Sequence, residues 1–209
     1  MNRYDYLLNL RNASTALLKK EISAVELVKL SLERIHAQQS SNVFITVNAE
    51  QALREAQAYD ALPPGEKQHL PLGGIPIAIK DNIHVKGLPC TLGTPALQDF
   101  RPIHNAYVVR ALKDAGAIII GKTHLHELAL GVTGYNPNYC QEEHIGTRNA
   151  HNSAYIAGGS SSGSAVAVAS MHVPFSLGTD SAGSTRIPAA LNGCVGYRPS
   201  LGRYSTEGV

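Results

Sequence analysis

The chain has 209 residues, 18 basic and 16 acidic side chains, a net charge of +2, 44% hydrophobic residues and 16% charged ones. That balance suits one sizeable globular domain and gives no electrostatic ground for binding nucleic acid or an anionic membrane. The three cysteines, Cys90, Cys140 and Cys194, are widely spaced and form no CxxC pair, which fits free thiols in a reducing, cytoplasmic compartment.

Residues 1–20 alternate charged, polar and apolar side chains and lack the continuous apolar core of a signal peptide. Ser23-Ala24-Val25-Glu26 has capping-box spacing, and Val25, Leu27, Val28, Leu32 and Ile35 recur at helical intervals, predicting an amphipathic helix over 24–38. An alanine-rich segment predicts a second helix over 49–61, stopped by Pro63-Pro64-Gly65. Residues 1–70 are thus expected to form an N-terminal helical layer over a core at 71–209, within one structural domain.

Ile75-Pro76-Ile77-Ala78-Ile79 is apolar on both faces and bounded by Gly73-Gly74 and Asp81-Asn82, as a buried strand would be. Val108, Val109 and Leu112 mark a helix ending at Gly116, and residues 117–121 supply another buried strand. Strand, helix, strand predicts a crossover unit in an α/β fold with a mixed, largely parallel sheet and helices on both faces. The polar segment 136–154 is expected to be a surface excursion. A helix over 164–171 and a strand over 173–178 follow. The stretch 165–177 is the most apolar in the chain, but Ser170, His172 and Pro174 interrupt it and it is too short to span a bilayer.

Chemistry concentrates in Gly158-Gly159-Ser160-Ser161-Ser162-Gly163-Ser164, in Asp180-Ser181-Ala182-Gly183-Ser184-Thr185-Arg186, and in Lys80 at the end of the first buried strand. Glycines leave amide N–H groups bare, so a serine among them can sit beside donors that hold an anion. The bland alternative for the first stretch is a loop that caps the following helix. Its GxSxG match would make Ser161 a nucleophile, but no histidine follows His172 to complete such a triad. The GK[ST] ending of a phosphate-binding loop is missing too. His126-Glu127 would need a histidine at position 130 to make HExxH, and that residue is Leu130, so no metal site is expected.

Taken together, Ser160 and Ser184 stand 24 residues apart and follow Pro76-Ile77-Ala78-Ile79-Lys80-Asp81-Asn82 in order. This closely resembles the amidase signature family, with its GGSSxGS run, its D-x-x-GS-x-R run and its upstream lysine. The resemblance implies that fold, with the C-terminal part missing from this chain, and catalytic roles for Lys80 as base, Ser160 as bridging serine and Ser184 as nucleophile. It further implies a cis Gly159–Ser160 bond, an oxyanion hole from the N–H groups of Ser181, Ala182, Gly183 and Ser184, and bracing of that turn by Asp180 and Arg186. A lysine amine titrates near about 10.4, so neutrality near pH 7 costs roughly 4 kcal/mol, and desolvation beside the apolar strand is the expected source.

By resemblance, Leu128 and Tyr135 would line an acyl pocket. Ala182, where many relatives have glycine, should narrow the space beside the scissile carbonyl. Residues 131–137 and 196–204 look most like indoleacetamide and mandelamide hydrolases, implying hydrolysis of a primary arylacetamide such as indole-3-acetamide, with no cofactor. The alternatives are an amidotransferase of the glutaminase type, against which Ile187 stands where glutamine is usual, and a non-catalytic fragment that binds a partner. Expected partners are a small-molecule amide and either a second copy or a complementing C-terminal chain.

Overall fold

The computed structural model describes residues 3–141 and 145–209. Helix α1 (Leu10–Leu18) starts where the Asn9 side chain accepts the Asn12 N–H, a capping signal that sequence periodicity had not marked. Helix α2 (Ala24–Ala37) begins on the capping box: Glu26 N–H donates to Ser23 Oγ, and Ser23 N–H donates to Glu26 Oε2. Strand β1 (Phe44–Val47) follows, then α3 (Ala49–Ala61), whose Asp60 carboxylate accepts the Ala24 and Val25 N–H groups. The end of α3 therefore ties down the start of α2. A one-turn helix, α4 (Pro64–Lys67), precedes the core strands.

Strand β2 (Pro76–Lys80) is buried along its whole length, and α5 (Tyr107–Asp114) carries the chain to β3 (Ile118–Thr123), equally buried. Helix α6 (Ser162–Ala169), strand β4 (Ser176–Leu177) and helix α7 (Arg186–Leu191) complete the order. The sheet runs β1-β3-β2-β4; β2 is parallel to both neighbours and β1 is antiparallel to β3. The fold is thus a mixed, mostly parallel sheet with helices packed against it. Its core joins Ile75, Ile77, Ile79, Ile119 and Ile120 to Leu27, Val28, Ala52, Ala56, Val109 and Val166. Each large aliphatic side chain buried there contributes about 1.5–3 kcal/mol.

Three expectations need adjustment. The strand expected over 173–178 is reduced to Ser176–Leu177, because Pro174 has no N–H to give to a ladder, although Val173 beside it is fully buried. β1 was not anticipated: its residues are only partly buried, and four of them carry little pattern. The excursion at 136–154 is anchored, not loose, since the buried Asn136 donates from Nδ2 to Gly93 O and Leu125 O, both at 2.9 Å. Its residues 142–144, like residues 1–2 of the N-terminal segment, lie outside the described ones. No helix among the described residues is long and apolar enough to cross a membrane.

Candidate active site

Lys80 closes β2 and is fully buried. Its Nζ donates to Ser160 Oγ at 2.7 Å and to Thr179 Oγ1 at 2.8 Å. Burial pushes the amine down to about 7, against the pull of the Asp180 carboxylate in the other direction. A group poised there can both take and return a proton near neutral pH.

Ser160 is buried just before α6, and the Gly159–Ser160 peptide is cis. Its carbonyl accepts the His126 N–H at 3.0 Å. The loop from His126 to Tyr135 crosses the first serine stretch at very close range: a Cβ on Gly134, whose φ is +84°, would stand 2.8 Å from Gly158 O. Only glycine fits a backbone this near another backbone.

The second stretch is fastened to the first. Ser161 N–H donates to the Ser184 carbonyl at 2.9 Å, and Ser161 Oγ both donates to Thr179 O at 3.1 Å and accepts from Thr179 N–H at 3.2 Å. Within the turn, the Asp180 carboxylate accepts from Gly183 N–H at 2.7 Å, Thr185 N–H at 3.2 Å, and Arg186 Nε and Nη2 at 2.9 and 3.0 Å. The Arg186 guanidinium, followed by these backbone donors, holds that carboxyl well below the usual carboxylate range. Arg198 Nε approaches the same carboxylate at 3.9 Å.

The structure therefore brings Lys80 and Ser160 into direct contact and holds Ser184 beside them through Ser161. No hydrogen bond joins Ser184 Oγ to Ser160 Oγ among the described residues. Gly183 N–H, one of the expected oxyanion donors, is engaged by Asp180. The N–H groups of Ser181, Ala182 and Ser184 make no hydrogen bond among the described residues. Leu128 and Tyr135 are about half exposed, at 45% and 50%, and the Tyr135 ring lies 6.4 Å from that of His126.

Two contacts of Lys80 escaped sequence reading. Thr179 is the second partner of Lys80 and also accepts from Asn82 Nδ2 at 3.1 Å. A threonine after a short strand carries no signal of that contact. Burial, opposed by the Glu127 charge and helped by the charge of Lys80, keeps the His126 imidazole below its ordinary range. The first histidine of the His124-Leu125-His126 run is apart from this: His124 is buried, with Nε2 at 3.0 Å from Asn138 O. No group of three or more metal-ligating side chains occurs among the described residues.

Comparison with known proteins gives a consistent setting for this geometry. The family model described as Amidase matches residues 26–209. Mandelamide hydrolase of Pseudomonas putida is 49% identical over 202 residues, 97% of this chain and 40% of that protein. The glutamyl-tRNA(Gln) amidotransferase of Lawsonia intracellularis (strain PHE/MN1-00) has a subunit that is 42% identical over 210 residues, 98% of this chain and 41% of that protein. The X-ray structure of native peptide amidase from Stenotrophomonas maltophilia superposes with a TM-score of 0.87 at 36% identity, covering 96% of this chain and 42% of that one. The chain thus spans about two fifths of the length of the curated relatives it matches.

Proposed function

This chain belongs to the Amidase family, and we propose that Lys80, Ser160 and Ser184 form a proton relay for hydrolysing a primary amide. What carries the reading is Lys80 Nζ at 2.7 Å from Ser160 Oγ, with the amine brought down to about 7 by burial. A serine hydroxyl is a weak nucleophile until a base accepts its proton. Ser184 Oγ attacks the amide carbonyl, its proton passes to Ser160 Oγ, and the Ser160 proton passes to neutral Lys80. The carbonyl oxygen, now an oxyanion, faces the open N–H groups of Ser181, Ala182 and Ser184.

Collapse expels ammonia as Lys80 returns the proton through Ser160, leaving an ester on Ser184. Water then attacks that ester by the same relay and releases the carboxylic acid. Asp180 and Arg186 are the braces of the turn, with Gly183 a backbone anchor to Asp180. Ala182 presents its N–H and narrows the space beside the carbonyl.

For substrate, we favour an arylacetamide, with Leu128 and Tyr135 against the acyl group. Support comes from the 49% identity to a mandelamide hydrolase. None of the relatives named above acts by name on indole-3-acetamide, so a 2-hydroxyarylacetamide is the first candidate and indole-3-acetamide the comparison. The 42% identity to the amidotransferase supports a second reading, glutamine as the amide.

The strongly exposed apolar side chains of Leu130, Val195, Tyr197 and Leu201 suit a surface that further polypeptide covers, as a complementing chain or a second copy. The test is a fluorophosphonate probe on the purified chain, followed by ammonia release from mandelamide, indole-3-acetamide and glutamine. Labelling that survives Ser184→Ala would overturn the nucleophile, and a preference for glutamine would overturn the arylacetamide reading.

A further inference from the structure

Lys80 is not the only buried lysine at this end of the sheet. Lys122, next to the last residue of β3, is also fully buried and forms an ion pair with Asp81, the residue that follows Lys80. Nζ of Lys122 lies 2.8 Å from Asp81 Oδ1 and donates to Pro89 O at 3.0 Å. The other carboxylate oxygen, Asp81 Oδ2, accepts from Thr91 N–H at 2.8 Å and from Thr91 Oγ1 at 2.5 Å. The backbone of Asp81 is held as well, donating to Thr123 O and accepting from Leu92 N–H, both at 3.2 Å.

Acyl transfer makes no use of this pair. Replacing a buried ion pair by well-packed apolar residues is often neutral or stabilising, so stability alone is a weak reason for one to sit here. Its location supplies another. Register pairs Ile79 with Lys122 and Lys80 with Thr123, so both partners of the ion pair are immediate neighbours of the strand position that carries Lys80.

We propose that the Asp81–Lys122 pair is a positioning device for Lys80: it fixes the end of β2 from which the amine projects and keeps the charge behind that amine balanced. The proposal rests on Lys80 acting as the base of the relay. Other ionisable groups face the two sites. Asp180, from the second serine turn, and His126, from the loop after β3, face Lys80. Cys90 and His124 face the pair; burial drives the Cys90 thiol up to about 11 and lowers His124, so both are neutral near pH 7. Charge balance on that side is therefore left to Asp81 and Lys122. With it intact, Asp180 is the carboxylate that draws Lys80 toward its protonated form.

Removing the Lys122 charge leaves the Asp81 carboxylate, still held by Thr91, uncompensated beside Lys80. An unbalanced negative charge favours protonated lysine, which cannot accept a proton. Lys122→Gln removes the charge while retaining a polar side chain with N–H donors. The measurement is the rate of fluorophosphonate labelling at Ser184 of the full chain across about pH 5 to 9.

The acid limb of that profile should move up by about one pH unit in Lys122→Gln, the order of effect of one uncompensated charge at a neighbouring buried position. In Asp81→Asn/Lys122→Gln, where both charges are gone, the limb should return to its wild-type position. Should Lys122→Gln not fold, Lys122→Met replaces it in both variants. A folded single variant with an unmoved limb would overturn the proposal, and so would a double variant that stays shifted. Wild-type protein that fails to label, or labels elsewhere than Ser184, would overturn the relay itself and this inference with it.

Discussion

The Ser161 N–H donates to the Ser184 carbonyl at 2.9 Å, which binds the two glycine-rich serine stretches to one another although they are far apart in sequence. The consequence is that Ser184 cannot shift without moving the residue next to Ser160. Since Ser160 Oγ is in turn held by Lys80, the three groups of the proposed relay are positioned by one connected set of hydrogen bonds. Such a set acts as a unit, and single substitutions in it should be far from additive.

Ser160→Ala should keep the fold, because it removes one buried hydroxyl, yet lower the labelling rate of Ser184 by about 10²–10⁴, the usual worth of a positioned proton acceptor. In wild-type protein that rate should rise with pH through about 7, where Lys80 loses its proton and becomes able to accept another. The sign follows from the neutral amine being the base. Lys80→Met should abolish this limb, and a limb unchanged in Lys80→Met would show that another group is titrating. Labelling rate against pH for the three proteins makes the check.

Asp180→Asn should cost more than Arg186→Lys. The Asp180 side chain is nearly inaccessible at 3% and collects the Gly183, Thr185 and Arg186 donors, whereas the Arg186 side chain is 49% exposed. Hydrogen bonds to a buried charge contribute about 1.5–3 kcal/mol, whereas solvent screens an exposed ion pair and leaves it little net effect. Asp180→Asn should therefore lower the denaturation midpoint clearly and slow labelling by roughly 100-fold as the turn loses its geometry. Arg186→Lys should leave the midpoint within a degree or two. Thermal melts read beside labelling rates distinguish the two effects.

How much of this was legible depends on the range of the interaction. The α2 helix, the α3 helix and the buried β2 and β3 strands are written in local periodicity and caps, and each was found close to its observed bounds. Lys80 and the serine stretches were visible because their residue types are unusual where they stand. Thr179 on Lys80, Lys122 on Asp81 and the engagement of Gly183 by Asp180 were not. The first two join residues far apart in the chain, and the third depends on the exact dihedrals of a turn. Residue type and spacing do not encode either.

Gly134→Ala should be far more damaging than an exposed loop substitution. The new Cβ would lie 2.8 Å from Gly158 O and 3.0 Å from Ser162 Cβ, in a residue whose φ of +84° disfavours any side chain. Strain and overpacking together should cost about 1–3 kcal/mol. Because the clash falls on the serine stretch, labelling of Ser184 should slow as well. Gly87→Ala is a control: its φ is also positive, +85°, but nothing lies within 4 Å of the added carbon, so it should lose stability without affecting labelling.

Tyr135→Leu tests the acyl contact. Tyr135 is half exposed in a loop, its ring tilted at 52° to that of His126, so truncating it removes an aromatic face without opening the core. An aromatic pair contributes about 0.5–1.5 kcal/mol beyond its buried area. If the substrate's aryl group stacks there, kcat/KM for mandelamide should fall about 3- to 10-fold, while a small aliphatic amide such as propionamide should be hydrolysed as before. Equal losses on both amides would assign Tyr135 to loop packing instead. Ala182→Gly should act in the opposite sense, admitting bulkier acyl groups by removing the methyl beside the carbonyl, with the N–H retained for the oxyanion. The ratio of rates for the two amides across Tyr135→Leu and Ala182→Gly therefore separates an aryl contact from simple room in the pocket.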